Sequence, residues 1–256
     1  MELKGKTAVI TGGASGIGAA CCRAFAAQGA RVAVVDYNSE GAKAVASEIG
    51  GLPVGCDIGN EAAVKAMITE VEDRLGPIDV CFNNAGVATG GDVLETGPEV
   101  WDAVWSVNVM AHVHTVRAVL PGMLERECGY LLHTASIAGY LTSHGNAVYA
   151  TTKHAVVGLA EWLSITYHDR GIRISLLAPL GVRTPMLARY AAAAVVAGPI
   201  KEPEEVAAMV VDAIGAERFL ILTDPIGQTW MERKTADLER WLRGMRRVQA
   251  RLAAQD

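Results

Sequence analysis

Thr7–Asp36 reads TAVITGGASGIGAACCRAFAAQGARVAVVD, and its parts decide the fold. Thr7–Ile10 is a short apolar run, long enough for a buried strand and too short for a helix. Thr11–Gly18 (TGGASGIG) follows at once, an amphipathic stretch runs to about Gly29, and Arg31–Val35 is a second buried strand ending in Asp36. A glycine-rich turn alone is weak evidence. Between a strand and a helix, with an acid closing the next strand, it acquires a physical role. Gly12, Gly16 and Gly18 let the backbone turn tightly and approach a pyrophosphate, which then rests on the helix N-terminus. Asp36 stands where a carboxylate accepts hydrogen bonds from the adenosine ribose hydroxyls and repels a 2′-phosphate. Neither Ala14 nor Ser15 supplies a cation that would favour a phosphorylated ribose, so NAD is expected rather than NADP. The plainer reading of Asp36 is a turn or helix-cap aspartate.

The alternation continues outward from this unit. Ser39–Ile49 reads as a helix and Leu52–Cys56 as a strand, with Asp57 following where an adenine edge could be read. Glu61–Leu75 carries Val64, Met67, Ile68, Val71 and Leu75 on one helical face. Ile78–Phe82 is a strand with Asn83–Gly86 (NNAG) as its exit, and Pro98–Arg126 is mostly helical with an interruption near Asn108. Tyr130–Thr134, Arg173–Ala178 and Arg218–Thr223 read as further strands, separated by helices over Ala147–Asp169 and Glu204–Ile214. The expected fold is α/β: one domain with a doubly wound parallel sheet of about seven strands and helices on both faces. It spans residues 1–226, including an apolar, alanine-rich loop at 185–199, and residues 227–256 form a helical tail rather than a second domain.

Composition narrows the function classes. The 256 residues suit one domain, and 51% hydrophobic with 5% aromatic residues demands an aliphatic core. A net charge of −5 argues against a nucleic-acid partner, which needs a basic footprint. Cys21, Cys22, Cys56, Cys81 and Cys128 show no ligand spacing, so small core residues are expected, with no disulfide and no metal. With no apolar run of membrane-spanning length and no signal-peptide pattern, a cytoplasmic protein without membrane contact is expected.

Ser136–Lys153 (SIAGYLTSHGNAVYATTK) carries the chemistry. If a helix starts near Ala147, Tyr149 and Lys153 share one face as an i, i+4 pair. A phenol titrates near ~10 and carries protons poorly at neutral pH, whereas a nearby ammonium stabilises phenolate and draws that value down. Ser136, leaving an apolar strand, can hydrogen-bond the same substrate oxygen. Taken alone, such a pair is more often a buried tyrosine and a solvated lysine.

TGGASGIG, NNAG, the lone Asn108 and the Ser136/Tyr149/Lys153 set, at this spacing, make residues 1–223 resemble the short-chain dehydrogenase/reductase family in its compact single-domain, NAD-preferring form, a Rossmann fold. The resemblance implies that Tyr149 is the general acid/base, that Lys153 lowers its pKa and holds the nicotinamide ribose, and that Ser136 orients the reacting oxygen. It implies that the backbone carbonyl of Asn108 holds a water leading from Lys153 to solvent. For the cofactor it implies Gly12, Ser15, Gly16, Ile17 and Gly18 at the pyrophosphate and Asp36 and Tyr37 at the ribose. Asp57 and Ile58 would meet adenine, Asn84, Ala85 and Gly86 the ribose beyond, and Val182 and Thr184 the carboxamide. A homotetramer, or a homodimer, is implied through the helices at Pro98–Arg126 and Ala147–Asp169.

The expected reaction is NAD-dependent hydride exchange between nicotinamide and a small-molecule secondary alcohol or ketone, hydrophobic or ring-bearing, in a pocket drawing on Ser136, Ala138, His144, Asn146 and Leu187. Asn146 is the leading polar contact to substrate, and His144 a residue of the pocket mouth. The alternatives are an NADPH-dependent carbonyl reductase and a non-catalytic dinucleotide sensor or scaffold. Three departures from the family stand out: Leu180 follows Pro179 where glycine is usual, Thr151 and Thr152 replace smaller residues, and the chain continues as DPIGQTW and a tail. Leucine resists positive φ, so the turn beside the nicotinamide is expected to change shape. The tail's apolar face is expected first to pack on its own or a neighbouring subunit, second to cover the pocket, and last to meet a membrane.

Overall fold

The computed structural model describes residues 1–89, 91–188 and 198–254. The first strands and helices are β1 (Thr7–Thr11), α1 (Gly16–Ala27), β2 (Arg31–Asp36), α2 (Ser39–Ile49), β3 (Leu52–Gly55), α3 (Glu61–Leu75) and β4 (Val80–Asn83). They continue with α4 (Pro98–Trp105), one π-helical turn (Ser106–Met110), α5 (Ala111–Glu125), β5 (Gly129–Thr134), α6 (Ala138–Leu141), α7 (Ala147–Tyr167) and β6 (Ile172–Ala178). The last are α8 (Pro185–Ala188), α9 (Pro203–Gly215), β7 (Leu220–Leu222), α10 (Ile226–Ala236) and α11 (Leu238–Ala253).

Seven parallel strands form one sheet in the order β3-β2-β1-β4-β5-β6-β7. The chain winds outward from β1 to β3, then returns past β1 to β4. Connections on either side of that reversal leave a crevice at the carboxyl ends of β1 and β4, the place where such sheets bind ligands. Period-two alternation gives each strand to two cores. Val9 of β1 packs with α3, α5 and α7 on one face, while Ala8 and Ile10 pack with α1, α2 and α9 on the other.

Local chemistry sets the ends of the helices. The Asn38 and Asn60 side chains accept the backbone N–H groups of Gly41 and Ala63, and Gly50 ends α2 in the left-handed region at φ 65°. Both helices have the bounds expected from sequence. The strand expected at Ile78–Phe82 instead runs Val80–Asn83, because the chain enters the sheet through Asp79, whose carboxylate accepts from the Thr7 N–H at 2.9 Å. The break near Asn108 is the π-helical turn, and the expected long helix ends as α7 followed by a 3-10 turn at His168–Arg170. Of the 185–199 loop, residues 189–197 lie outside the described residues. Among the described residues no helix is long and apolar enough to cross a membrane.

Candidate active site

Loops from the carboxyl ends of six strands enclose a cavity of about 1170 Å³. At one end lie Gly12, Ser15, Gly16, Ile17, Asp36 and Tyr37, with Asp57, Ile58, Asn84, Ala85 and Gly86 following along the wall. At the other end Ser136, Ala138, His144, Asn146, Tyr149 and Lys153 face Val182, Thr184 and Leu187. The structure therefore gathers nearly all the site residues expected from sequence, from segments more than a hundred residues apart. Two do not line the cavity. Gly18 sits behind the loop, where an added Cβ would lie 2.0 Å from the Gly12 carbonyl oxygen, so only glycine lets the first turn of α1 pack this closely on the loop. Asn108 is fully buried in the π-helical turn.

The glycine loop is built for close approach. Gly12 and Gly16 have φ of +67° and +51°, and a Cβ on Gly12 would meet Ala85 Cα at 2.9 Å. Asp36 steadies this loop: its carboxylate accepts from the Ala14 N–H at 3.0 Å and from the Asn38 N–H at 2.9 Å. The turn-aspartate reading is thus correct as far as it goes, and the same carboxylate also faces the cavity. Thr11 on β1 accepts from the N–H groups of Asn84 and Ala85 and ties the NNAG exit to the loop.

The end holding Ser136, Tyr149 and Lys153 is assembled from β5 and α7. Asn146 caps α7, its Oδ1 accepting the Tyr149 N–H at 3.1 Å, so this residue, expected as a substrate contact, also fixes where Tyr149 stands. One turn on, Lys153 is 3% exposed, donates to the Thr134 carbonyl at 2.9 Å and lies 5.6 Å from the Tyr149 ring centroid. Burial depresses the Lys153 pKa to about 8. Burial also raises the Tyr149 phenol, against a hydrogen bond from Ser136 that favours phenolate. Desolvation outweighs that hydrogen bond, so the phenol stands above its ordinary value. Ser136 is 8% exposed, and its Oγ also accepts the Ala138 N–H.

Asn108 acts through its neighbours. Its Oδ1 accepts the Val87 N–H at 2.8 Å, while its Nδ2 donates to the Val87 carbonyl and to Thr152 Oγ1. Thr152 in turn donates to the Tyr149 carbonyl at 2.9 Å, so this departure from the family ties the π-helical turn to the helix bearing Tyr149. Leu180 has no positive φ; its N–H donates to Thr223 Oγ1 and its side chain is buried.

The short-chain dehydrogenase family matches residues 6–194, close to three quarters of the chain. This chain belongs to that family. It is an oxidoreductase, and its relatives agree. It is 36% identical over 190 residues to the D-threitol dehydrogenase of Mycolicibacterium smegmatis, covering 72% of this chain and 73% of that enzyme. It is 35% identical over 251 residues to the 1-deoxy-11-beta-hydroxypentalenate dehydrogenase of Streptomyces avermitilis, covering 94% and 93%. A short chain dehydrogenase/reductase of Burkholderia phymatum, solved in complex with NAD, superposes with a TM-score of 0.88 at 29% identity, covering 93% and 96%.

The family binds a nicotinamide dinucleotide, and the residues of this dehydrogenase fit one. The α1 N-terminus lacks a side-chain cap at Ser15, unlike α2 and α3, leaving first-turn N–H groups and a hydroxyl for an anion beside two glycines at positive φ. Sequence reasoning missed Thr134, whose carbonyl holds Lys153, and Gln249 and Leu252 of α11, which line the same cavity. Thr134 carries no signal, since any residue has that carbonyl. The tail's cover of the pocket was the second of the expectations from sequence, but which of its residues reach the cavity was not legible.

Proposed function

We propose that this dehydrogenase oxidises a secondary alcohol, or reduces the corresponding ketone, with NAD and with Tyr149 as the proton carrier. The observation that carries the reading is the convergence of Tyr149, Ser136 and Lys153 at one end of a cavity whose other end is lined by Gly12–Ile17 and Asp36. Bound there, nicotinamide supplies the hydride chemistry. In the oxidation the Tyr149 phenolate accepts the hydroxyl proton, and in the reduction its phenol returns one. The Ser136 hydroxyl, which lies in hydrogen-bond reach of Tyr149, turns its single proton to the substrate oxygen when substrate is bound and holds that oxygen beside the phenol. The Lys153 ammonium, fixed by the Thr134 carbonyl, keeps positive charge beside the phenol and offers its remaining protons to the nicotinamide ribose. Asn108 and Thr152 position α7 relative to the NNAG exit.

The Asp36 carboxylate at the cavity wall supports NAD over NADP, since a 2′-phosphate would meet an uncompensated charge of like sign. The substrate end carries Ile137, Ala138, Leu180, Met186 and Leu187, which suits an apolar or ring-bearing alcohol. The relative matched over 94% of this chain is named for a hydroxypentalenate. A panel of secondary alcohols assayed with each cofactor tests the reading. NAD-dependent turnover is expected, with Tyr149→Phe slower by on the order of 10²–10⁴-fold while still binding NAD. Intact turnover in Tyr149→Phe sinks the mechanism, and preference for NADP sinks the cofactor assignment.

A further inference from the structure

The C-terminal helices are fastened to the segment that joins Ser136 to Tyr149. The partly buried Lys234 on α10 donates from Nζ to the Tyr140 carbonyl, and burial lowers its pKa. On α11, Gln249 Oε1 accepts from His144 Nδ1 at 2.7 Å. Gln249 and Leu252 lie one turn apart, so they share the face of α11 that lines the substrate end of the cavity. The opposite face carries Arg243, Arg247 and Arg251, all exposed. Leu180 and the tail are also matched in shape. A Cβ at Gly227, at the start of α10, would lie 3.3 Å from both Leu180 and Ile137, and one at Gly198 would lie 3.2 Å from Trp230. The leucine that replaces the family's glycine thus fills space under the α10 entry, linking two departures that looked unrelated in sequence.

We infer that α11 is the outer wall of the substrate site, and that Leu252 and Gln249 determine which alcohols this dehydrogenase accepts. Leu252 sets the depth of the apolar end, whereas Gln249 holds His144 and, with it, the loop leading into the Asn146 cap and Tyr149. The inference rests on the alcohol-oxidising reading above. It assigns specificity to residues beyond the 6–194 stretch that matches the family.

Two substitutions of opposite size in the full chain test it, with cyclohexanol and the bicyclic decahydronaphthol as substrates and NAD as cofactor. Leu252→Ala is expected to raise the ratio of kcat/KM for the bicyclic over the monocyclic alcohol by on the order of tenfold, since pocket contacts of this size discriminate at that level. Leu252→Trp is expected to lower it. Arg247→Ala, on the exposed face, should leave the ratio where it is. Ratios that stay put in both Leu252 variants, or move in the same direction, overturn the assignment. Amide hydrogen exchange gives a readout that needs no turnover: Gln249→Ala should speed exchange across residues 143–149, and unchanged exchange overturns the coupling to α11. A parent enzyme that oxidises no alcohol refutes the reaction instead, while exchange still decides the wall.

Discussion

At the residue scale the site contains more titratable chemistry than the reaction uses. His112 and His133 stack behind it with ring centroids 5.2 Å apart and Nδ1 atoms 2.9 Å apart, so one ring donates to the other and both are neutral. Burial, reinforced by His133 and Lys153, holds His112 well below its ordinary value, and burial alone holds His133 to about 4. An unfolded imidazole takes its proton near 6.5, the folded His133 only near 4. Between those values the unfolded chain binds more protons, so the stabilisation is complete above pH 6.5 and is lost as pH falls towards 4. For His133 the difference is worth roughly 3 kcal/mol, at about 1.4 kcal/mol per tenfold change. Scanning calorimetry should therefore show Tm dropping through this window. Replacing both histidines by leucine, which leaves no ring unpartnered, should flatten the drop. An equal acid dependence in the double variant would show that other groups cause it.

At the element scale α7 does most of the positioning, and Asn146 starts it. Loss of an asparagine cap costs about 1 kcal/mol, and here the first turn carries Tyr149. Asn146→Ala should lower Tm and reduce kcat more than it raises KM. Asn146→Asp keeps an acceptor and should restore Tm; if it also restores kcat, Asn146 acts as a cap, and if kcat stays low, its amide touches substrate. The sequence showed α7 clearly, as it did α2 and α3, because apolar spacing, caps and a terminal glycine agreed there. It also located the break at Asn108, which became a π-helical turn closed by side-chain bonds to Val87 and Thr152. What it hid were effects of distant contacts. Asp79 delayed the start of β4, the Gly12 carbonyl claimed the space beside Gly18, and burial raised the Tyr149 phenol. Each depends on atoms brought together only by the finished sheet.

At the scale of the whole molecule one face of α7 leaves large apolar side chains exposed among the described residues, although Trp162 meets the Tyr167 ring edge-on. Trp162 is 56% exposed and Ile165 85%, one turn apart, while Trp105 on the neighbouring α4 is 37% exposed. Apolar residues scattered singly over a surface need no explanation, but large ones grouped on two adjoining helices are what an interaction surface presents. Self-association through α4 and α7 fits this face, because a two-fold axis lays the same helix against its copy and buries each exposed side chain twice. The expected mass in solution is four times that of the chain. Ile165→Glu places a charge where its copy lies close by, so desolvation and like-charge repulsion both oppose the contact. Light scattering should then report a smaller species with the fold intact by circular dichroism. A monomeric parent would refute the assembly, and a variant that keeps the parent's mass would move the interface elsewhere.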